Sequence, residues 1–257
     1  MQASTTRESE GFMTSTLKAT FLLAIISITA SFAQAQTAGV THIFPQVVDG
    51  VGSDGAVYTS RFLIASSSGS PVTCQVSLFG LDPGRLSAPA NVQIEGGSFE
   101  TITTRGEGVI DTGYARLDCS QPVVASLMYS ILSATGTPLG IATIPSAPIA
   151  SLASIPMVLN GRYRYGIALA NDNDMAQVVV LLFDSGATSL VRTIQLQPRS
   201  QYVAFVDEIF NVPAAAGLGT LRIGSVGLAI GQPGNFHIAA TLFDHSGLTN
   251  VVPAVIR

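Results

Sequence analysis

The feature that most constrains the fold of this 257-residue chain is an internal repeat. Five blocks of the second half match five blocks of the first half, in the same order and at offsets of 104 to 114 residues. The matched blocks are residues 44–50 with 155–161, 58–66 with 165–171, 72–79 with 176–183, 113–117 with 219–223, and 127–129 with 241–243. Chance supplies one or two such matches but not five in order. The sequence therefore predicts a duplication, with domains at residues 36–145 and 146–257.

Each unit has the hydrophobic pattern of β-strands. Val72, Cys74 and Val76 alternate with polar Thr73 and Gln75, which is the period of a strand with one buried face. Turn formers are abundant, with 25 Gly and 13 Pro, and charged residues make up only 11% of the chain. Soluble domains average about 25% charged residues, so this balance excludes a disordered chain or a coiled coil. The sequence predicts an all-β protein with two tandem immunoglobulin-like β-sandwich domains.

Two stretches depart from simple alternation. Residues 178–183 (VVVLLF) are apolar on both faces, which favours either a contact between the two units at this strand or a fully interior strand. Residues 207–210 have the only pattern for which we expect a helix, of one or two turns.

The first 35 residues have the pattern of a secretory signal peptide. Lys18 precedes an uncharged run at residues 19–32, and residues 33–35 (AQA) fit the small-x-small cleavage pattern, so the predicted cut lies before Gln36. A membrane span needs about 20 apolar residues, and this run is shorter. Met13 is an alternative start, because counting from it gives a signal of ordinary length. We expect export to the medium, the cell surface or the periplasm, with no transmembrane segment after cleavage.

Both cysteines of the chain, Cys74 and Cys119, lie in the first unit and occupy the inward phase of their strands. An exported protein meets an oxidising compartment, so the sequence predicts a disulfide between them, with two separate buried thiols as the alternative. A bridge that closes a loop of this length contributes about 4 kcal/mol on the chain-entropy model. The second unit has no counterpart.

The chain carries few signals of chemistry. A net charge of −4 argues against nucleic acid as a partner, since phosphate binding needs a basic surface. The nucleophile-elbow pattern G-x-S-x-G is absent, and none of the three histidines has a second one at the spacing of zinc helices. A hydrolase would require His237 or His245 to converge with acids in a pocket. We expect no enzymatic activity and no cofactor.

Residues 171–174 (NDND) form the one cluster of hard oxygen ligands. An EF-hand loop would need a Gly and a closing Glu, and Met175 and Val179 stand where those residues should be. The repeat aligns the cluster with a Ser-rich turn at residues 66–70, which favours a solvated turn stabilised by local side-chain hydrogen bonds. The alternative is a calcium site with Asp172 and Asp174 as ligands.

A run of alternating cations and rings opens the second unit. Its members are Arg162, Tyr163, Arg164 and Tyr165. On a strand, the arginines would share one face and the tyrosines the other, so the run is a candidate binding strip for sugar or peptide; the alternative is an edge strand with packed tyrosines. Arg116 and Arg222 occupy equivalent outward positions in the two units, and we interpret them as solvated residues paired with acids.

The repeated blocks resemble a group of uncharacterised secreted bacterial proteins built from tandem β-sandwich units. The resemblance rests on residues 44–50, 167–171, 204–210 and 219–223, and it covers most of residues 43–257. The first unit departs from the pattern because it lacks the phrase found at 205–210. These motifs are turns and core strands, so the resemblance implies a fold and carries over no catalytic residue.

We therefore expect a non-enzymatic secreted or cell-surface protein with a structural, adhesion or binding role, whose partner is a protein or a polysaccharide. One alternative is a carbohydrate-binding accessory module, which would show a ring-lined groove near Tyr163 and Tyr165. The absence of Trp weakens that alternative, because sugar-binding modules stack rings on exposed aromatic side chains. A hydrolase of unknown type is the third hypothesis. Unpaired edge strands offer a further route to partners or to self-assembly.

Overall fold

Short strands joined by turns run through the whole described chain, which confirms the all-β prediction. The computed structural model describes residues 39–159, 161–186, 188–212, 217–227, 234–244, 247–252 and 254–256. The predicted signal peptide and its alternative start at Met13 lie outside these residues. The chain divides into the units Met1–Ala35 and Gln36–Arg257, and every described residue belongs to the second. Among the described residues, no helix has the length and apolar character required to span a membrane.

The first half contains seven strands arranged in antiparallel sheets. They are β1 (Gly39–Val51), β2 (Val57–Ala65), β3 (Val72–Phe79), β4 (Asn91–Ile94), β5 (Phe99–Thr103), β6 (Asp111–Leu132) and β7 (Pro138–Pro145). The 22-residue strand β6 serves two sheets. Its N-terminal part pairs with β1 and β3, and its C-terminal part pairs with β2 and β7. The resulting orders are β4-β3-β6-β1 and β5-β2-β6-β7, and a short pairing of the end of β1 with β2 joins them into one seven-stranded sheet.

The described residues of the second half form nine strands and one short helix. They are β8 (Leu152–Leu159), β9 (Arg164–Asn171), β10 (Gln177–Asp184), β11 (Ser189–Leu196), β12 (Ser200–Phe205), α1 (Val206–Phe210), β13 (Gly217–Gly227), β14 (His237–Asp244), β15 (Gly247–Val252) and β16 (Val255–Ile256). The orders are β11-β10-β13-β8-β16 and β12-β9-β14-β15. The helix lies where the sequence predicted one.

The two halves repeat one strand order. The first half's β4-β3-β6-β1 corresponds to β11-β10-β13-β8, and its β5-β2-β6-β7 corresponds to β12-β9-β14-β15. The long strand β6 takes the place of both β13 and β14. Its pairing with β1 agrees with the sequence repeat, because Phe44 pairs with Ala115 as Ile155 pairs with Leu221. Its pairing with β3 shifts the aligned blocks 72–79 and 176–183 by one residue, because Val76 pairs with Leu117 as Leu181 pairs with Ile223. The immunoglobulin-like class and the domain limits remain predictions.

Each half has its own hydrophobic core between its two sheets. In the first half, Phe44 of β1 and Phe62 of β2 meet edge to face with ring centroids 5.5 Å apart. In the second half, Phe183 of β10 packs on Phe210 of α1 at 5.7 Å. Burial of such a side chain stabilises a fold by about 1.5–3 kcal/mol. Ala239 of β14 is an exception, because it belongs to the second half by sequence but to the first core by contact.

The repeated motif at residues 44–50 ends in a structural Asp-Gly pair. Asp49 is buried, and its two carboxylate oxygens accept hydrogen bonds from the backbone of Gly106 at 2.6 Å and from Arg85 at 3.1 Å. Gly50 has φ of +115°, and a Cβ there would lie 2.6 Å from the carbonyl oxygen of Val109. The pair thus ties β1 to two loops, and glycine is required by both conformation and space.

The predicted disulfide between Cys74 and Cys119 is confirmed. The two residues are direct partners in the register of β3 and β6, with Cα atoms 4.1 Å apart. Cys74 is fully buried in the first core, and the bridge joins residues 45 positions apart. Inward phase on neighbouring strands was therefore the correct signal.

The expectation that the two units meet at residues 178–183 is wrong. In β10, buried residues alternate with the half-buried Val178, Val180 and Leu182. The strands that contact the first half are β9, β12, β14 and β15, and β9 is buried on both faces from Tyr165 to Asn171. Its outer face carries small residues, which allow a neighbouring sheet to approach closely.

Candidate functional site at the seam between the halves

The seam is the contact between residues 39–145 and residues 146–256, and a turn at the end of β9 organises it. Asn171 is fully buried, and its amide group donates to the carbonyl oxygens of Met175 at 2.8 Å and Gln197 at 2.9 Å. Its own carbonyl oxygen accepts from the backbone of Asn173 at 3.1 Å. These bonds fix the turn, so that Asp172 is held against the first half.

Asp172 accepts hydrogen bonds from three side chains, and two of them, Arg116 and Tyr114, belong to the first half. Its Oδ2 accepts from Nη1 of Arg116, on β6, at 2.8 Å. Its Oδ1 accepts from Nη1 of Arg199 at 2.8 Å and from the hydroxyl of Tyr114 at 3.1 Å. The Asp172 side chain is only 11% exposed, so these charge-assisted bonds operate in a partly desolvated place, where they are stronger than on the surface.

The charges continue on both sides of Asp172, and we call the set Asp118, Arg116, Asp172, Arg199 and Asp174 the seam network. Arg116 Nε donates to Asp118 at 2.7 Å, and Thr41 donates to the same carboxylate at 2.8 Å. Arg199 Nε donates to Asp174 at 2.9 Å. Positive and negative groups therefore alternate along a chain of five residues, and two arginines are shared among three carboxylates.

Burial and the seam network shift the pKa values of several of its members and of Tyr114, which donates a hydrogen bond to Asp172. Burial raises the pKa of Tyr114, and the negative charge of Asp172 raises it further. Burial would raise the pKa of Asp118, but hydrogen bonds from Arg116 and Thr41 outweigh that effect, and its pKa is lowered. The hydrogen bond to Asp174 is the main cause of the raised pKa of Arg199. Hydrogen bonds and opposite charges raise the pKa of Arg116 and Arg199 and lower the pKa of Asp118 and Asp174, so these four residues are charged at neutral pH.

An apolar patch lies beneath the network. Tyr114 stacks on Phe79 with centroids 4.6 Å apart and an interplanar angle of 9°, and both rings pack with Ile43 of the first half and Ala170 of the second. Stacked aromatic pairs contribute about 0.5–1.5 kcal/mol beyond area burial. The seam thus combines a small hydrophobic contact with a salt-bridge network.

Two histidines hold the segment that connects the halves. His42 Nδ1 lies 2.9 Å from the hydroxyl of Ser146, and His237 Nδ1 lies 2.8 Å from the carbonyl oxygen of Ala147. The backbone of Ala147 also donates to the carbonyl oxygen of Ile43 at 2.8 Å. Burial lowers the pKa of both histidines. His237 is thus a structural partner of the connector, while His245, the other histidine of the hydrolase hypothesis, lies outside the described residues.

The fold does not place the four residues of the candidate binding strip, Arg162 to Tyr165, on one exposed surface. Strand β9 lies between β12 and β14 and is not an edge strand. Tyr165 is buried and accepts a hydrogen bond from the backbone of Val158, while Tyr163 packs against the second core. Arg162 lies 5.2 Å over the Tyr163 ring. The tyrosines therefore point into the protein, which leaves Arg162 as the exposed member of the run.

Arg164 is engaged by the short helix that follows β12. Its guanidinium contacts Asp207 at 2.9 Å and Glu208 at 2.6 Å, both in the first turn of α1. It also stacks 3.8 Å over the ring of Phe205. Burial opposes the charged form, but the hydrogen bonds to Glu208 and Asp207 outweigh it and raise the pKa of Arg164. The residue serves to dock α1 on β9.

The two calcium candidates occupy different surroundings. Both oxygens of Asp172 face arginines, whereas Asp174 is 85% exposed and contacts Arg199. A guanidinium in the ligand sphere repels a cation, so the geometry favours the turn over the calcium alternative. Within the described ranges, no group of three or more His, Cys, Asp or Glu side chains is placed to hold a metal ion.

Sequence reasoning missed the seam network as a unit. It paired Arg116 with unnamed acids and interpreted residues 171–174 as a solvated turn, yet Arg116 and Asp172 lie 56 positions apart and meet only across the seam. Arg199 lies in the turn between β11 and β12, where no strand periodicity applies, and it adopts φ of +51°, which is uncommon for a residue other than glycine. The equivalent Arg222 is exposed and has no ion pair among the described residues.

Comparisons with known proteins do not assign this chain to a family. No protein-family model matches the chain, and no curated protein matches it. The crystal structure of Thermotoga maritima 1070 is 13% identical with a TM-score of 0.30, and the match covers 42% of this chain and 91% of that one. The C-terminal domain of the Streptococcus pyogenes antigen I/II-family protein AspA is 8% identical with a TM-score of 0.19, covering 84% and 99%. Such scores assign no family, and the strands themselves define an all-β protein of antiparallel sheets.

Proposed function

We propose that this chain is a non-enzymatic exported protein that serves a structural, adhesion or binding role at the cell surface or in the surrounding medium. It consists of two immunoglobulin-like sandwich units related by duplication, at residues 36–145 and 146–257, released after cleavage of the signal peptide at residues 1–35. Its partner is a protein or a polysaccharide.

The observation that carries this proposal is the bridge that Asp172 forms between Arg116 and Arg199. The bridge belongs to the seam network, in which five charged side chains join two β units. A salt-bridge network over the Tyr114–Phe79 stack holds the units in one orientation. A pair of sandwiches held in this way presents its outer surfaces at a fixed spacing, which suits a spacer or an adhesion module.

The disulfide between Cys74 and Cys119 supports export, since such bonds persist in oxidising compartments. The test is to express the full chain in a bacterial host and determine the N-terminus and the location of the product. A product outside the cytoplasm that begins at Gln36 is expected. A cytoplasmic product that retains residues 1–35 would contradict the proposal.

The binding role is tested with the exported protein on a glycan array and on intact bacterial cells, with calcium and with a chelator. Binding to cells is expected, unchanged by chelation. The matched variant Asp172→Asn keeps every outer surface but loosens the seam, so it should weaken binding that depends on fixed spacing. Specific glycan signals would instead favour the carbohydrate-binding module. Turnover of ester, glycoside or peptide substrates, lost in His237→Ala, would overturn the non-enzymatic proposal in favour of the hydrolase.

A further inference from the structure

The outer face of the sheet β11-β10-β13-β8-β16 is apolar and exposed. Paired residues of an antiparallel sheet share a face, so the strand registers define its members. The apolar ones are Leu152, Val158, Val178, Val180, Leu182, Val191, Leu218, Val226 and Val255. Leu218 is 74% exposed and Val226 is 61% exposed. The same registers also place polar residues on this face, namely Ser154, Ser189, Thr193, Gln195 and Thr220. The exposed apolar residues are therefore interspersed with polar ones, as at many interaction surfaces.

The corresponding face of the first half is covered in part by the second half. On β3 and β6 it carries the Phe79–Tyr114 stack beside Arg116 and Asp118, and the second half packs on it through Ala170 and the seam network. The apolar part of that face is therefore packed inside the chain, while the apolar face of the second half is exposed. Packing inside the chain does not explain the apolar face.

Two charged residues on the apolar face indicate what covers it. Arg222 lies on β13, the central strand of the five, and pairs in register with Leu182. Asp184 lies on the neighbouring β10, offset by two residues along the strands, since it pairs with Thr220. Neither residue makes an ion pair within the described part of the chain. A partner that covered Arg222 without supplying a carboxylate would bury an unpaired charge, which is strongly unfavourable.

We propose that the apolar face binds a second copy of this chain in a two-fold symmetric dimer. A two-fold axis that lies in the face, midway between Arg222 and Asp184, exchanges their positions. Arg222 of each copy then meets Asp184 of the other, and the apolar residues pack sheet on sheet around the two ion pairs. The face thus carries both residues, Arg222 and Asp184, that would form ion pairs between two copies.

The projected area of the face is close to the lower limit for a specific dimer interface. Four strands that each occupy about 4.8 Å, with eight residues of about 3.4 Å, span roughly 500 Å² in projection. The relief of the side chains increases the accessible area. Specific interfaces begin at roughly 600 Å² per partner.

The experiment is sedimentation equilibrium of the full-length protein over a wide concentration range. A dimer is expected for the native sequence. Arg222→Glu and Asp184→Arg should each weaken the dimer about tenfold or more, because like charges then meet across the axis. The double variant Arg222→Glu/Asp184→Arg should restore it. Circular dichroism of each variant checks that the fold is retained.

A second pair of variants keeps the test independent of these charges. Val226→Asp places a carboxylate on the apolar face and should produce monomers, while Val109→Asp, at an even more exposed valine outside the face, should leave the dimer intact. A native protein that is monomeric at every concentration overturns the proposal. A dimer that survives Val226→Asp does the same. A monomer that binds vesicles of phosphatidylcholine and phosphatidylglycerol, and loses them in Val226→Asp, would assign the face to lipid instead.

Discussion

The two halves share a strand order, but their cores are completed in different ways. In the first half, β1 and β7 are the last strands of the two orders, and residues of the second half pack against the core beside them, namely Ala239 with Phe243 and Val251 at its margin. In the second half, β8 gains an additional neighbour, β16, whose Ile256 packs on the second core. One unit is completed by its neighbour, and the other is completed by its own chain end. The two halves share a strand order but depend on each other to different extents: the core of the first half is completed by residues of the second, whereas the second half supplies its own closing strand.

The largest expected effect follows from this asymmetry. Residues 36–145 expressed alone lose the second half's contribution to their core and the acid that bridges the seam, so we expect no cooperative unfolding transition. Residues 146–257 alone retain their closing strand and should unfold cooperatively. Far-ultraviolet circular dichroism during urea titration measures both. Equal cooperativity of the two fragments would show that the first half does not depend on the second.

The disulfide offers a second way to sharpen the comparison. Replacing both Cys74 and Cys119 by serine should lower the free energy of unfolding by about 4 kcal/mol, because the open loop gains entropy in the unfolded chain. The positions in register with this pair in the second half are Val179 and Ser225, which pair directly between β10 and β13. Ser225 Oγ is buried without a hydrogen-bond partner among the described residues. The double variant Val179→Cys/Ser225→Cys should form a bridge, detected by loss of free thiols.

Native thiol titration and urea unfolding of both variants separate the outcomes. The engineered bridge is expected to stabilise by up to about 4 kcal/mol, and by less if its geometry is strained. Two free thiols in the double variant would mean that the registers of the two halves are less alike than their strand order indicates.

The sequence pattern predicted features within single strands and turns, and it missed the contacts between the two halves. The alternation in β3 located Cys74 correctly, and the turn of helix at α1 was also found. The stretch 178–183 does carry apolar side chains on both faces of its strand, but the second face is an outer surface of the sheet and not the seam. The seam is formed by the small residues of β9 and by Asp172, whose partners depend on how two units meet. No periodicity within one unit contains that information.

A third prediction separates the two acids that the sequence could not distinguish. Asp172→Asn removes the charge that Arg116 and Arg199 share, and should lower the free energy of unfolding by about 2 kcal/mol, since both arginines retain some exposure to water. Asp174→Asn is the matched control at an exposed position, and it should change stability little. Urea titration of both proteins measures the difference. Equal effects would mean that the bridge across the seam contributes no more than a surface ion pair.

The smallest expected effect concerns pH and the connector between the halves. Burial lowers the pKa of His42 and His237, so the unfolded chain binds protons at a pH where the folded protein does not. Stability should therefore be complete above the ordinary histidine pKa of about 6.5, decline as the pH falls below it, and level off below the folded-state values. His42→Gln and His237→Gln should each flatten this decline, as measured by urea titration between neutral and mildly acidic pH. If only one substitution flattens it, the connector is held mainly by the half that carries that histidine, and the dependence between the halves runs through that contact.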